Sequence, residues 1–122
     1  MDKKGKKFIG PPTWTLIHSL AASYDPSQSS AFKSFMISLV TLFPCEVCRK
    51  NLKDKLTSKI PLDNYLGSKE DLFLWTYIIH DMVNQHINEY HPEKTPKVSP
   101  PYIEIRDFYF DKIGDECKEC KI

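Results

Sequence analysis

Apolar residues between Ser30 and Pro44 recur with the spacing of one face of an α-helix. Intervals of three, one, three, one and three separate six of them: Phe32, Phe35, Met36, Leu39, Val40 and Phe43. Such a stripe has to be buried against neighbouring elements, so it predicts a helix that belongs to a packed core. Proline cannot donate the backbone hydrogen bond that a helix interior needs, and Pro44 therefore ends this helix.

Two further helices flank this one in the sequence. The first is predicted over about residues 13–24, because Pro11 and Pro12 are tolerated in an opening turn. It stops at the turn-forming sequence DPSQSS. The other begins around Cys45, directly after Pro44, and continues to about Leu56. A chain of 122 residues is long enough for one domain built from such helices.

A long helix follows at about residues 69–89, where Ser68 and Asp71 fit a helix N-terminal cap. Its first half, LFLWTYII, is apolar almost all round and is therefore expected to be buried. The segment YIEIRDFYFDKI has an alternation that fits a strand, whereas a short helix packed on a bundle fits it equally well. The fold class that we predict is all-α: a four-helix bundle with a short fifth helix.

Charge and hydropathy exclude several classes of function. The formal net charge is +1, so no overall field favours nucleic acid or an anionic membrane surface. No apolar run approaches the roughly 20 residues of a transmembrane helix. The basic residues at the start are followed by no apolar segment, so we expect no signal peptide and an intracellular location. Residues 1–8 are predicted to form a basic, flexible N-terminus.

The four cysteines form two identical pairs, Cys45/Cys48 and Cys117/Cys120. Without a secretory signal, this spacing indicates redox chemistry or metal binding rather than a structural disulfide framework. The first turn of a helix stabilises a thiolate, and Arg49 adds positive charge near Cys45. Two intervening residues also let both sulfurs close a disulfide, which is the geometry of a dithiol that cycles.

Zinc is the main alternative for these cysteines, because two such pairs can form a tetrahedral site. However, 68 residues separate Cys48 from Cys117, against roughly 15 to 20 in the familiar zinc ribbon. This long separation favours redox chemistry, and a zinc-binding adaptor without catalysis remains the alternative. A third possibility is a flavin-free helical binding module with an incidental reactive pair.

Tryptophan and histidine recur together on two of the predicted helices. Trp14 and His18 are four residues apart and share a face, and Trp75 precedes His80 and Asn84 on the long helix. Each residue alone is explained by core packing. Two such sets around a Cys-x-x-Cys helix are instead suited to a flat heteroaromatic ring. A redox pair needs an electron acceptor that side chains lack, so flavin is the natural candidate.

Three motifs resemble those of the Erv/ALR family of flavin-linked sulfhydryl oxidases: GPPTWTLIHSLAASYDP, FPCEVC and W-x-x-x-x-H-D-x-V-N. They cover the chain from about Gly10 to Asn84 in the family's order. The resemblance implies a helical bundle that cradles FAD, a homodimer, and oxidation of client dithiols with O2 as acceptor and H2O2 as product. It further implies a protein client, and the family's expected clients are thioredoxin-like proteins.

The resemblance also implies roles for individual residues. Cys45 would exchange with the incoming dithiol, Cys48 would face the flavin, and Cys117 and Cys120 would form a shuttle disulfide. Besides Cys48, nine residues match the two FAD-contacting motifs: Gly10, Thr13, Trp14, His18 and Tyr24 in the first, and Trp75, His80, Val83 and Asn84 in the second. No metal ligand is implied.

Other expectations follow from the same resemblance. Glu89 stands where a lysine of the family commonly contacts the FAD phosphates, so His86 or another lysine is the alternative. The predicted division is an N-terminus of residues 1–8, an FAD-binding domain of residues 9–110 and a flexible tail of residues 111–122. The chain would act in the host cytoplasm or virion if it is viral, and in the mitochondrial intermembrane space if it is cellular.

Overall fold

The structure is a computed structural model that describes residues 3–113, apart from the side chains of residues 3, 57 and 58. This part of the chain contains five α-helices. The helices are α1 (Lys3–Ala22), α2 (Ser29–Leu42), α3 (Glu46–Asp54), α4 (Lys69–Tyr90) and α5 (Tyr102–Ile113). A π-helical turn, Lys55–Lys59, extends α3, and 3-10 turns occupy Pro26–Gln28 and Leu62–Tyr65. Residues 3–113 contain no β-strand, so the all-α prediction is confirmed and the ambiguous segment is a helix.

The predicted start of the first helix is wrong, because α1 begins at Lys3 and contains Pro11 and Pro12 in its interior. These prolines cannot donate to the carbonyl groups of Lys7 and Phe8. Both of those residues are exposed, so water can bond to their carbonyl groups instead. The two prolines therefore lie inside α1 rather than in its first turn, and residues 3–8 form the first part of the helix.

The other predicted boundaries follow the local signals. Pro44 separates α2 from α3, and the backbone N–H of Phe43 donates to Leu39 at 2.9 Å to end α2. Ser68 caps α4, since its side chain accepts from the backbone N–H of Asp71 at 3.1 Å. A side-chain cap satisfies a backbone donor that has no partner within the helix.

The core lies between α1, α2 and the first half of α4. Its buried members are apolar or aromatic: Ile17, Ala21, Ala22, Tyr24, Phe32, Met36, Leu62, Leu72, Phe73, Trp75 and Ile79. Phe32, Met36 and Val40 bury the stripe of α2, as predicted. The remaining stripe residues are half-buried. No helix within residues 3–113 has the length and apolar character needed to cross a membrane.

Hydrogen bonds attach the proline-rich connector to α4 and so position α5. The side chain of Asn88 both accepts from the backbone N–H of Lys97 at 2.7 Å and donates to its carbonyl at 2.8 Å. Tyr77 donates its hydroxyl to the carbonyl of Pro100 at 2.6 Å. The following helix then packs Tyr102, Tyr109 and other partly buried side chains against the core.

Candidate active site around the cysteine pair

The two cysteines near the start of α3 form a disulfide, with 5.2 Å between their Cα atoms. Cys45 is the N-cap residue of α3, and its Sγ accepts from the backbone N–H of Cys48 at 3.3 Å. A helix N-terminus can therefore stabilise negative charge on this sulfur when the pair is reduced. The predicted first-turn position of the pair is confirmed, and the geometry suits reversible opening and closing of the bond.

The two sulfurs occupy different surroundings. Cys48 is half-buried and lines a cleft, whereas Cys45 is only 4% exposed and does not line it. The turn before them is held by Phe43, whose carbonyl accepts from the backbone N–H of Cys45 at 2.8 Å and from the Arg49 guanidinium at 2.7 Å. A ligand in the cleft therefore has access to Cys48 and not to Cys45.

The cleft has a volume of about 250 Å³ and lies between α1, α3, α4 and the end of α2. Its walls are mainly apolar and include three aromatic side chains, those of Trp14, Phe43 and Tyr90. Apolar and aromatic walls with a few polar groups are typical of sites for small organic cofactors. The sulfur of a redox-active pair is part of the same lining.

Cationic or basic side chains also contribute to the cleft, namely Lys6, Arg49, His86 and His91. The buried side chain of Lys55 donates to Asn51, which is another lining residue. Burial, and secondarily the charge of Lys55, lowers the pKa of His86. Such donors suit a phosphate-containing ligand. Apolar walls, a cysteine sulfur and cationic donors together suit the chemistry of FAD, of which a cleft of about 250 Å³ encloses only a part.

Five of the predicted site residues line this cleft: Gly10, Thr13, Trp14, Cys48 and Val83. At Gly10, a Cβ atom would meet nothing within 4 Å apart from its chain neighbours and the nearby backbone of its own helix. Packing within the protein therefore does not require glycine at this position. Thr13 donates its hydroxyl to the carbonyl of Ile9 at 2.6 Å, so this hydroxyl is already used within α1.

His18 and His80 lie together outside the cleft lining and stack with Trp14. The His80 and Trp14 ring centroids are 4.0 Å apart, with 4° between the ring planes. The ring of Tyr109 packs on that of His18, with 5.2 Å between the centroids.

Burial and the neighbouring His80 lower the pKa of His18 to about 3. Burial and Lys97 lower the pKa of His80 to about 4, against the opposing effect of Asp81. Both rings are therefore neutral at pH 7.

The three other predicted cofactor residues hydrogen-bond to protein groups. Tyr24 donates its hydroxyl to the carbonyl of Leu66 at 2.7 Å, and the indole N–H of Trp75 donates to the carbonyl of Ile60 at 2.9 Å. Asn84 donates to the hydroxyl of Ser99 at 3.1 Å. These bonds account for the three side chains structurally, and their contact with a cofactor stays a prediction.

Several lining residues were not among the predicted site residues: Lys6, Arg49, Leu52, Ile87, Tyr90 and His91. A signal for some of them was present, because His86, Ile87 and Tyr90 follow Val83 at intervals of three, four and seven. That spacing places all four on one face of α4. Lys6 has no such signal, because the sequence predicts a first helix that starts only at about residue 13.

The predicted shuttle cysteines, Cys117 and Cys120, lie outside the described residues. Among residues 3–113, no group of three or more histidine, cysteine or acidic side chains is arranged to hold a metal ion. A four-cysteine zinc site would need the outer pair in addition to Cys45 and Cys48.

Comparison with known proteins gives one family. The sequence profile of the Erv1/Alr family matches residues 11–102. The chain is 31% identical over 88 residues, 69% of its length, to the FAD-linked sulfhydryl oxidase ERV1 of Arabidopsis thaliana, of which 44% is covered. It is 29% identical over 93 residues, 73% of its length, to the mitochondrial FAD-linked sulfhydryl oxidase ERV1 of Saccharomyces cerevisiae, of which 48% is covered.

A viral relative is also similar. The chain is 37% identical over 78 residues, 60% of its length, to the probable FAD-linked sulfhydryl oxidase R368 of Acanthamoeba polyphaga mimivirus, of which 54% is covered. The chain thus spans about half the length of these relatives.

Proposed function

Because the chain belongs to the Erv1/Alr family, we propose that it is an FAD-dependent sulfhydryl oxidase that forms disulfides in client proteins. The observation that carries this proposal is the Cys45–Cys48 disulfide, with Cys48 on the wall of an apolar cleft. Relatives named as FAD-linked sulfhydryl oxidases support the cofactor and the reaction class.

The protein's part in the reaction is thiol–disulfide exchange. A client thiolate attacks the sulfur of Cys45, the Cys45–Cys48 bond breaks, and a mixed disulfide with the client forms. The second client thiol resolves this intermediate, so the client gains a disulfide and the enzyme pair gains two electrons and two protons. The position of Cys45 at the N-terminus of α3 stabilises the thiolate that leaves in the second step.

Cys48 is the residue placed to pass the electrons on, since it lines the cleft. Trp14, Val83 and neighbouring apolar side chains would hold the ring system, and Lys6, Arg49 and His86 would hold the phosphates. When bound, FAD supplies a two-electron acceptor and a route to O2, so one client dithiol and one O2 give one disulfide and one H2O2.

Accessibility sets a requirement on the first step. Cys45 is 4% exposed, so a client can reach its sulfur only after a local opening of the turn at residues 43–45. The bond from Arg49 to the carbonyl of Phe43 holds this turn. In this proposal the client reduces either the Cys45–Cys48 disulfide directly, as described above, or a Cys117–Cys120 disulfide that passes the electrons on to Cys45. The protein acts as a homodimer, and the client is a thioredoxin-like protein.

Relatives of both viral and mitochondrial origin support two locations for this activity. We retain the host cytoplasm or virion for a viral chain, and the mitochondrial intermembrane space for a cellular one. The division into an FAD-binding domain of residues 9–110 and a tail carrying the shuttle pair is part of the same proposal.

The test is a visible absorption spectrum of the purified protein, recorded with dithiothreitol in the absence of oxygen and again after air is admitted. We expect a flavin spectrum that bleaches and then returns. Cys45→Ser and Cys48→Ser should retain bound flavin but lose turnover, because neither can complete the exchange. Full turnover in both variants, or a colourless protein that binds zinc and takes up no FAD, contradicts the proposal.

A further inference from the structure

A chain of hydrogen bonds links the interior of α4 to His80. The hydroxyl oxygen of Thr76 lies 2.7 Å from the carbonyl oxygen of Phe73 and 3.0 Å from Nδ1 of His18. Nε2 of His18 lies 2.9 Å from Nδ1 of His80. Thr76 is fully buried and His18 is 3% exposed, so protein groups rather than solvent decide where the protons lie.

The carbonyl of Phe73 fixes the direction of every bond in this chain. The shorter of the two contacts of the Thr76 hydroxyl is to this carbonyl oxygen, which can only accept, and we therefore assign the single hydroxyl proton to that bond. The hydroxyl then accepts from His18, whose Nδ1 must carry the proton. Because His18 is neutral, its Nε2 is unprotonated and accepts from Nδ1–H of His80. His80 is also neutral, so its Nε2 carries a lone pair.

We propose that Thr76 is a positioning residue, which fixes the tautomers of His18 and His80 so that His80 offers an unprotonated Nε2 to a hydrogen-bond donor of the cofactor. The role toward FAD rests on the proposed function. Nε2 is accessible, since it has no hydrogen-bond partner within residues 3–113 and this part of the chain has no buried side-chain nitrogen or oxygen without a partner. His80 also stacks on Trp14, which lines the cleft.

Thr76→Val tests this role because it replaces a hydroxyl by a methyl group at nearly constant volume. Valine cannot accept from Nδ1 of His18, so the neutral ring should move its proton to Nε2 and donate to Nδ1 of His80. His80 must then carry its own proton on Nε2. The accessible atom of His80 thus changes from an acceptor to a donor, whereas Thr76→Ser keeps the hydroxyl and should keep both tautomers.

Long-range 1H–15N correlation spectra of the full-length protein, with and without FAD, report which nitrogen of each ring is protonated. We expect Nδ1–H on both rings in the wild type and in Thr76→Ser, and Nε2–H on both in Thr76→Val. The dissociation constant for FAD should rise roughly 10-fold in the valine variant only, since a lone pair facing a donor is replaced by an N–H.

Two results overturn the proposal. One is a wild-type His18 protonated at Nε2, which decides the matter even if the valine variant does not fold. The other is a folded Thr76→Val protein with unchanged tautomers or unchanged FAD affinity. If the wild type binds no FAD at all, the proposed function fails, and the spectra of the ligand-free protein still decide the tautomers.

Discussion

The two halves of α4 serve different purposes. In the first half, Leu72, Phe73, Trp75, Thr76 and Ile79 are all buried. In the second half, the residues on the face that begins with Val83 line the cleft and are half-buried or exposed. The same helix therefore closes the core at one end and leaves an apolar wall uncovered at the other.

Because of this difference, stability and ligand binding should depend on different halves of α4. Apolar area that the protein already buries contributes to the free energy of unfolding. Apolar area that stays open can contribute only when a ligand covers it. Substitutions in the first half of α4 should therefore change folding, and substitutions around the cleft should change mainly the affinity for FAD.

Phe73→Ala should have the largest effect on folding. Its ring is fully buried between His18, Tyr109 and Phe110, so truncation should lower the free energy of unfolding by about 3–5 kcal/mol. Phe8→Ala is the matched control, because Phe8 is 81% exposed, and it should cost less than about 0.5 kcal/mol. Urea unfolding of the FAD-free proteins measures both losses in free energy of unfolding. Equal losses would contradict the role of the buried first half of α4 in folding.

Acidification should be the next largest perturbation, because the histidine network joins α1 to the buried half of α4. The pKa of His18 is about 3 and that of His80 about 4 in the folded protein, against about 6.5 in an unfolded chain. At pH values between the folded and the unfolded pKa, the unfolded chain therefore binds more protons than the folded protein. The free energy of unfolding consequently falls as the pH drops below about 6.5. For His18 alone, about 2 kcal/mol should be lost by pH 5.

Urea unfolding at pH 7 and pH 5 measures this loss. A variant in which both rings are replaced, His18→Asn with His80→Asn, should show a flatter dependence on pH between these values. The same free energy of unfolding at both pH values in the wild type would contradict the buried, neutral state of the pair.

The sequence was sufficient where a local pattern controls the structure. The stripe of α2, the stop at Pro44 and the cap at Ser68 each depend on a few neighbouring residues, and all were predicted correctly. The start of α1 was not, because a proline pair is compatible with a first turn and also with a helix interior whose preceding carbonyls are exposed. Sequence alone could not choose between these two.

The site was predictable only in part for a related reason. Cys45 and Cys48 are recognisable from their spacing, whereas the lining contributed by Lys6 and Tyr90 depends on how α1 and α4 approach each other. The partners of Tyr24 and Trp75 are backbone carbonyls 42 and 15 residues away. No pattern of side chains in the sequence predicts a hydrogen bond to a distant backbone carbonyl.

Val83→Ser should weaken FAD binding by roughly 10-fold, since it removes apolar contact area from the cleft wall. Val98→Ser is a matched control on the connector, where Val98 is 84% exposed and does not line the cleft. Its dissociation constant for FAD should equal that of the wild type. Flavin fluorescence titration of the FAD-free proteins gives both values, and equal weakening would mean that the open half of α4 is not the binding wall.

Lys6→Gln should have the smallest effect and bears on the polar part of the cleft. Lys6 lines the cleft, and Lys4 does not although it lies on the same helix, because residues two apart on a helix point to different faces. If Lys6 faces the FAD phosphates, glutamine should weaken binding about three- to five-fold at low salt, and the difference should shrink as salt screens the charge. Lys4→Gln should bind FAD as the wild type does at every salt concentration. Equal effects of the two substitutions would indicate a general field of the basic N-terminus, and the phosphates would then have to be assigned to Arg49 and His86.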